Sequence, residues 1–330
     1  MPRHRLLLPP AKPKAQEAET LQNDKSDDIS DDYGQDHDLK PLIMCFHGSG
    51  ETCSPAWDDL ATALVAETDC RVLLYDRGDG NQSADTVGEE MWEFLLPSSS
   101  SSSGTLRGPY LLIAHSYGGA FARVFLQREH EFGHRGRNTN ANTQGYQHNS
   151  HNNSDNMRSD SDMIVGVVLV ETGQEGGLDP ALDERQIRTV VLGSRPLCVV
   201  RGNSLLGKWR ALEEAEAQES GPSLSLNLVA QRRLLERVDA EDERLKRRQL
   251  GLSRNSRFVH VPDCGHHVVR DRPDVVIEAV KWVLENPGEV GEADELEETE
   301  RRDAVGRKSL GSWWQRFRRF RPRVGAWKNG

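Results

Sequence analysis

Ser116 lies in Ala114-His115-Ser116-Tyr117-Gly118, between an apolar run and a stretch of small residues. A serine on a sharp strand-to-helix turn needs small neighbours two positions before and after it, and Ala114 and Gly118 satisfy that need. The pattern is a nucleophile elbow with alanine in place of the first glycine. Such a turn exposes a hydroxyl where a general base can take its proton. His47-Gly48-Ser49-Gly50 closes another apolar run. A glycine-rich turn there lets a backbone N–H point at the serine as half of an oxyanion hole, with the amide of Tyr117 as the other half. Asp76-Arg77-Gly78-Asp79-Gly80-Asn81-Gln82-Ser83 closes a third run and reads as a wall of the site, with Asp76 and Arg77 a structural pair. A general base belongs on a loop at the same sheet edge as the serine, and Pro262-Asp263-Cys264-Gly265-His266-His267 is placed to supply one. His260, Cys264, His266 and His267 also make a loose metal set, but no second ligand cluster at tetrahedral spacing accompanies them, so no metal is expected.

These residues need a scaffold that brings distant strand ends together. Short runs at 41–46, 71–75, 110–114, 164–170, 197–201 and 258–261 are almost wholly apolar, as parallel strands covered on both faces must be. Helical patterns alternate with them. Ser54-Pro55 predicts a capped helix carrying Trp57, Leu60, Ala61 and Leu64. Thr86 with Glu89 predicts a capping box, and residues 121–126 and Pro273 onward predict two more helices. The stretch 224–250 mixes charges of both signs at helical spacing and reads as a solvated amphipathic helix on the flank. Trp209 before it reads as a packing residue. Alternation of this kind predicts an open α/β sheet, whose ligands bind beyond the carboxyl ends of the strands.

Taken together, His47-Gly48, the segment 76–83, Ala114–Gly119 and the segment 265–276 resemble the single-domain serine-hydrolase branch of the α/β-hydrolase superfamily. The resemblance implies an α/β-hydrolase fold: a mostly parallel eight-stranded sheet with helices on both faces. The runs above account for six of those strands. It also implies a triad in the order serine, acid, histidine. In the family the histidine follows a glycine, which selects His266 and leaves His260 and His267 as structural neighbours. The acid commonly follows the penultimate strand, but here Gly202-Asn203-Ser204-Leu205 holds no carboxylate. Some relatives carry it one strand earlier, and residues 164–170 run directly into Glu171. Glu171 is therefore the expected acid, with Glu175 and Asp179 as alternatives on the same loop. Ser49 and Tyr117 would hold the oxyanion. The 26 residues from Glu171 to Pro196 leave room for at most a small cap.

The chain has 330 residues and a formal net charge of −10, which argues against a dedicated nucleic-acid partner. Five cysteines with no C-x-x-C pair indicate neither a disulfide framework nor a zinc ribbon, so a reduced, cytoplasmic setting is expected. Residues 1–38 read as disordered, 39–285 as the hydrolase domain, 130–162 as a low-complexity insertion and 286–330 as a charged, disordered tail. Within that tail, residues 289–300 hold seven carboxylates, and 301–330 hold ten Lys or Arg against one Asp. Its Arg and aromatic residues suggest weak contact with an anionic membrane surface. The expected activity is cofactor-free hydrolysis of a small or medium carboxylic ester. Transacylation or cofactor-free halogenation would use the same triad, and a catalytically silent ligand-binding or scaffold protein is the alternative.

Overall fold

The computed structural model describes residues 3–10, 40–77, 83–95, 108–139, 163–173, 177–219 and 225–288. Seven strands form one sheet: β1 (Arg3–Leu7), β2 (Leu42–Phe46), β3 (Arg71–Asp76), β4 (Tyr110–His115), β5 (Ile164–Val170), β6 (Leu197–Arg201) and β7 (Ser256–His260). Their order is β1-β3-β2-β4-β5-β6-β7. Every pairing is parallel except β1 with β3. Among the described residues the strands number seven, where the resemblance implied eight.

The apolar runs behave as doubly covered strands should. Leu42, Met44 and Phe46 of β2 face one core, while Ile43 and Cys45 face the other. The first core is closed by α2 (Ala84–Leu95) and α3 (Gly118–Thr139), through Val87, Met91, Phe121 and Phe125. The second is closed by α1 (Asp58–Thr68) and α8 (Pro273–Glu285), through Leu60, Leu64, Val276 and Val280, with Trp57 just before α1. The result is a three-layer α/β architecture. Between the last strands lie α4 (Pro180–Arg188), α5 (Leu206–Gln218) and α6 (Leu226–Arg248), and α7 (Val268–Asp271) precedes α8. Leu205 and Leu212 pack with Leu235 of α6, and Trp209 packs against them.

Several expectations need correction. Residues 1–38 are not uniformly without structure, since β1 pairs antiparallel with β3 from Arg3 opposite Asp76 to Leu7 opposite Val72. An edge strand of five residues sends only Leu6 toward one core and Leu7 toward the other, too little to register as a period. The first helix begins at Asp58, after Ser54-Pro55, and has no side-chain cap. Ser83, not Thr86, caps α2: its Oγ accepts the Thr86 amide at 3.2 Å. Helix α3 continues to Thr139, into the segment read as an insertion. The remaining insertion up to residue 162, the serine run at 98–103 and residues 289–330, with the proposed membrane contact, lie outside the described residues. All five cysteines are buried and free. No described helix is long and apolar enough to cross a membrane.

Gly118 is required by a close approach. A Cβ there would stand 2.1 Å from the Phe46 carbonyl oxygen. Gly118→Ala is expected to destabilise the fold by about 3 kcal/mol or more, because strand β2 cannot move aside. Urea unfolding checks this against Gly207→Ala, where the added methyl meets nothing within 4 Å and stability should not fall.

Candidate active site

Parallel pairing puts the carboxyl ends of β2, β4, β5, β6 and β7 on one rim, and the candidate residues leave the sheet there. Ser116 directly follows β4, and its amide donates to the Val170 carbonyl at 3.0 Å. Its φ is +52°, the left-handed region that non-glycine residues avoid at a cost of about 1 kcal/mol or more. The bend is kept because the next turn is locked by Gly118 against β2. Glu171 directly follows β5, also at positive φ (+53°), and its amide donates to Val200 of β6 at 2.8 Å.

Glu171 and His266, separated by 95 residues, meet: His266 Nδ1 lies 3.0 Å from Glu171 Oε2. A carboxylate only accepts, so Nδ1 carries the proton and Nε2 is left able to take one. Glu171 is buried, whereas the His266 side chain is 37% exposed. The loop after β6, which lacks a carboxylate, supplies donors instead. Gly202 N–H donates to Glu171 Oε1 at 2.6 Å and Ser204 Oγ to Oε2 at 2.5 Å. Lys246 Nζ of α6 stands 3.6 Å from Oε1. Burial pushes the Glu171 carboxyl up, but the His266 bond, the Lys246 charge, Ser204 and Gly202 outweigh it and hold it at about 2. Of the alternative acids, Asp179 caps α4 by accepting the Ala181 amide at 2.9 Å, and Glu175 lies outside the described residues.

That depressed carboxyl is also a stability statement. A group titrating at about 2 when folded and near 4.5 when unfolded stabilises the fold fully above pH 4.5. The contribution, roughly 3 kcal/mol at most, is lost as the pH falls from 4.5 toward 2. Urea unfolding at pH 7 and pH 3 should therefore show a steeper acid loss in the natural protein than in Glu171→Gln.

His115, the residue before Ser116, ties the histidine loop to the elbow. Its Nε2 donates to the His266 carbonyl at 2.9 Å, and the two rings lie 4.9 Å apart. Its Nδ1 faces Glu51 Oε2 at 3.6 Å, too far for a hydrogen bond. The other oxygen of Glu51 is 3.1 Å from His267 Nδ1. His260 is more remote, 3.2 Å from Arg201 Nη1 at the end of β7.

The His47–Gly50 turn lies against the elbow: a Cβ on Gly48 would be 3.2 Å from Ser116 Cβ. The Ser49 and Tyr117 amides find no acceptor among the described residues. Asp76 and Arg77, the expected structural pair, make no direct ion pair, although the Asp76 charge acts on the guanidinium. Asp76 Oδ1 accepts the Cys53 amide at 2.5 Å, while Arg77 Nη2 donates to the Gly48 carbonyl at 2.6 Å and its guanidinium stacks 4.0 Å from the Phe121 ring. Burial lowers the Arg77 guanidinium to about 10. Arg77 thus braces the turn that carries Ser49. Gly78 to Gln82 lie outside the described residues.

Sequence reasoning missed four groups: Glu51, Arg77 as a brace, Ser204 and Lys246. Ser204 had a signal, since the loop where an acid was sought offers a hydroxyl instead. Lys246 had none, because it sits within a run of charged residues typical of a solvated face.

A strand-to-helix turn at Ser116 and a histidine paired with a carboxylate lie at one rim of a mostly parallel α/β sheet. The chain belongs to the alpha/beta hydrolase family, whose sequence signature matches residues 43–279. A stretch of 102 residues is 29% identical to a probable transporter, efuK, of Hormonema carpetanum; it spans 31% of this chain and 14% of that relative. Among solved structures, Est1E of Butyrivibrio proteoclasticus with bound ferulic acid has a TM-score of 0.44 and 11% identity, over 86% of this chain and 95% of that one. The enol-lactonase of Burkholderia xenovorans has a TM-score of 0.40 and 14% identity, over 86% of this chain and 96% of that one.

Proposed function

We propose that the protein is a serine hydrolase cleaving a small or medium carboxylic ester through an acyl-enzyme. Ser116 is the nucleophile, His266 the general base and Glu171 the acid that orients it. The observation carrying this reading is the 3.0 Å contact between Glu171 and His266 Nδ1, on the rim where Ser116 stands at φ +52°. Glu171 holds the imidazole with Nε2 unprotonated, so that nitrogen accepts the Ser116 proton as Oγ attacks the carbonyl carbon. The developing oxyanion accepts from the Ser49 and Tyr117 amides. The tetrahedral intermediate collapses as the imidazolium returns its proton to the leaving alcohol. Water, deprotonated by the same nitrogen, then releases the acid.

A fluorophosphonate probe tests the assignment. It is expected to label the full-length protein at one site and to leave Ser116→Ala unlabelled. A folded natural chain that stays unlabelled would favour the silent, ligand-binding alternative. A graded series of p-nitrophenyl esters then reads acyl length.

A further inference from the structure

The longest described helix, α6, was expected to be solvated, and most of it is exposed. Two of its charged residues, Asp242 and Lys246, are nonetheless buried, at 4% and 1% exposure. One helical turn apart, they face the rim of the sheet. Lys246 Nζ makes a close contact with Asp242 Oδ1, and Asp242 Oδ2 accepts from Arg201 Nε at 2.8 Å. Arg201 in turn meets Asp239 at 2.5 Å and Glu243 at 3.4 Å. The open end of this chain of charges is Lys246 Nζ, 3.6 Å from Glu171 Oε1. That distance is too long for a hydrogen bond and short enough for a strong field in a water-excluded setting.

Gln249, just after α6, also grips the residue that follows Glu171. Gln249 Oε1 accepts from Thr172 Oγ1 at 2.8 Å, and its Nε2 donates to the Thr172 carbonyl at 3.0 Å. Gly173, at φ +104°, brings the loop so close that a Cβ there would stand 2.6 Å from Gln249 Nε2.

A lysine buried to this degree without need would be costly, because desolvating an ammonium is offset only by partners held in good geometry. Asp242 alone balances one charge. Glu171, pointing at His266, is the second carboxylate the ammonium serves. We propose that Lys246 is a positioning residue of the catalytic machinery: delivered by α6 and anchored through Asp242 and Arg201, its ammonium holds Glu171 as a carboxylate aimed at His266. This inference rests on the triad reading for its catalytic consequence, while its electrostatic core stands apart from catalysis.

The test uses the full chain. Lys246→Met alone would take the ammonium from two buried carboxylates at once and risks unfolding, so the informative comparison is Asp242→Asn against Asp242→Asn/Lys246→Met. In Asp242→Asn the ammonium remains beside Glu171. Carbon-13 titration of the Glu171 carboxyl should show a midpoint no higher than that of the natural protein titrated alongside. In the double variant the midpoint should move up toward the ordinary 4.5. On a p-nitrophenyl ester, kcat should fall about tenfold between the two, with KM within about twofold, as for a group acting through the one it orients. Equal Glu171 midpoints in the two variants overturn the proposal, even if kcat falls, since packing loss alone would lower kcat without moving the titration. Should the hydrolase reading itself fail, with Ser116→Ala fully active, the titration still decides whether Lys246 governs Glu171.

Discussion

Ser116→Ala is expected to lower kcat/KM for any ester substrate by about ten-thousandfold or more while leaving KM and stability nearly unchanged. The kinetic part follows from the proposed role: without Oγ no acyl-enzyme would form, leaving the modest acceleration from substrate placement and from the Ser49 and Tyr117 amides proposed to hold the oxyanion. The stability part follows from the backbone. At φ +52° a serine and an alanine meet the same clash between Cβ and the neighbouring carbonyl, so the substitution neither relieves nor adds strain. Ser116→Gly sharpens the test. Glycine adopts that φ without a penalty, so this variant should be equally inactive yet at least as resistant to urea. Inactivity without loss of stability separates a nucleophile held under strain from a serine that merely fills a turn. Retention of more than about a tenth of the activity in either variant would remove Ser116 from the mechanism.

The parts legible in the sequence were those in which one residue type is forced by local physics. Parallel strands covered on both faces must be apolar throughout, so five of the six predicted runs lie within a residue of β2 to β6; the sixth, 258–261, sits two residues late on β7. Gly118 must be glycine because β2 passes its Cα, and that necessity makes the elbow visible. The choice of Glu171 as acid rested on the family resemblance, because a glutamate at a strand end can equally cap a turn. What separates the readings is the approach of His266 from 95 residues away. Non-local electrostatics left no trace. Lys246 and Asp242 look like any other i,i+4 pair on a charged helix, and only docking of α6 against β6 buries them. β1 was lost for a related reason: its stabilisation comes from backbone pairing with β3, which any side-chain pattern can make.

Glu171→Gln is expected to cost about a thousandfold to ten-thousandfold in kcat with little change in KM, and hydrogen-bond donor counting explains why. The carboxylate accepts on both oxygens: Gly202 N–H on Oε1 with Lys246 beside it, Ser204 Oγ and His266 Nδ1 on Oε2. A glutamine must present its NH2 to one of these sides. Gly202 N–H and the Lys246 ammonium have no acceptor to offer, so the amide nitrogen is turned away from them. On the other side the Ser204 hydroxyl can rotate to accept, and the imidazole can shift its proton from Nδ1 to Nε2. The variant therefore settles with His266 in the wrong tautomer, its Nε2 carrying a hydrogen and unable to take one from Ser116. Nitrogen-15 spectra of the histidine ring read this directly: Nδ1–H in the natural protein, Nε2–H in the variant, at a pH where the ring is neutral. A kcat within tenfold of the natural value, or an unmoved ring proton, would mean that a group other than Glu171 orients the base. If both change together, the acid one strand earlier than usual performs the usual task, with the donors of the 202–204 loop and the buried ammonium of α6 keeping it in place.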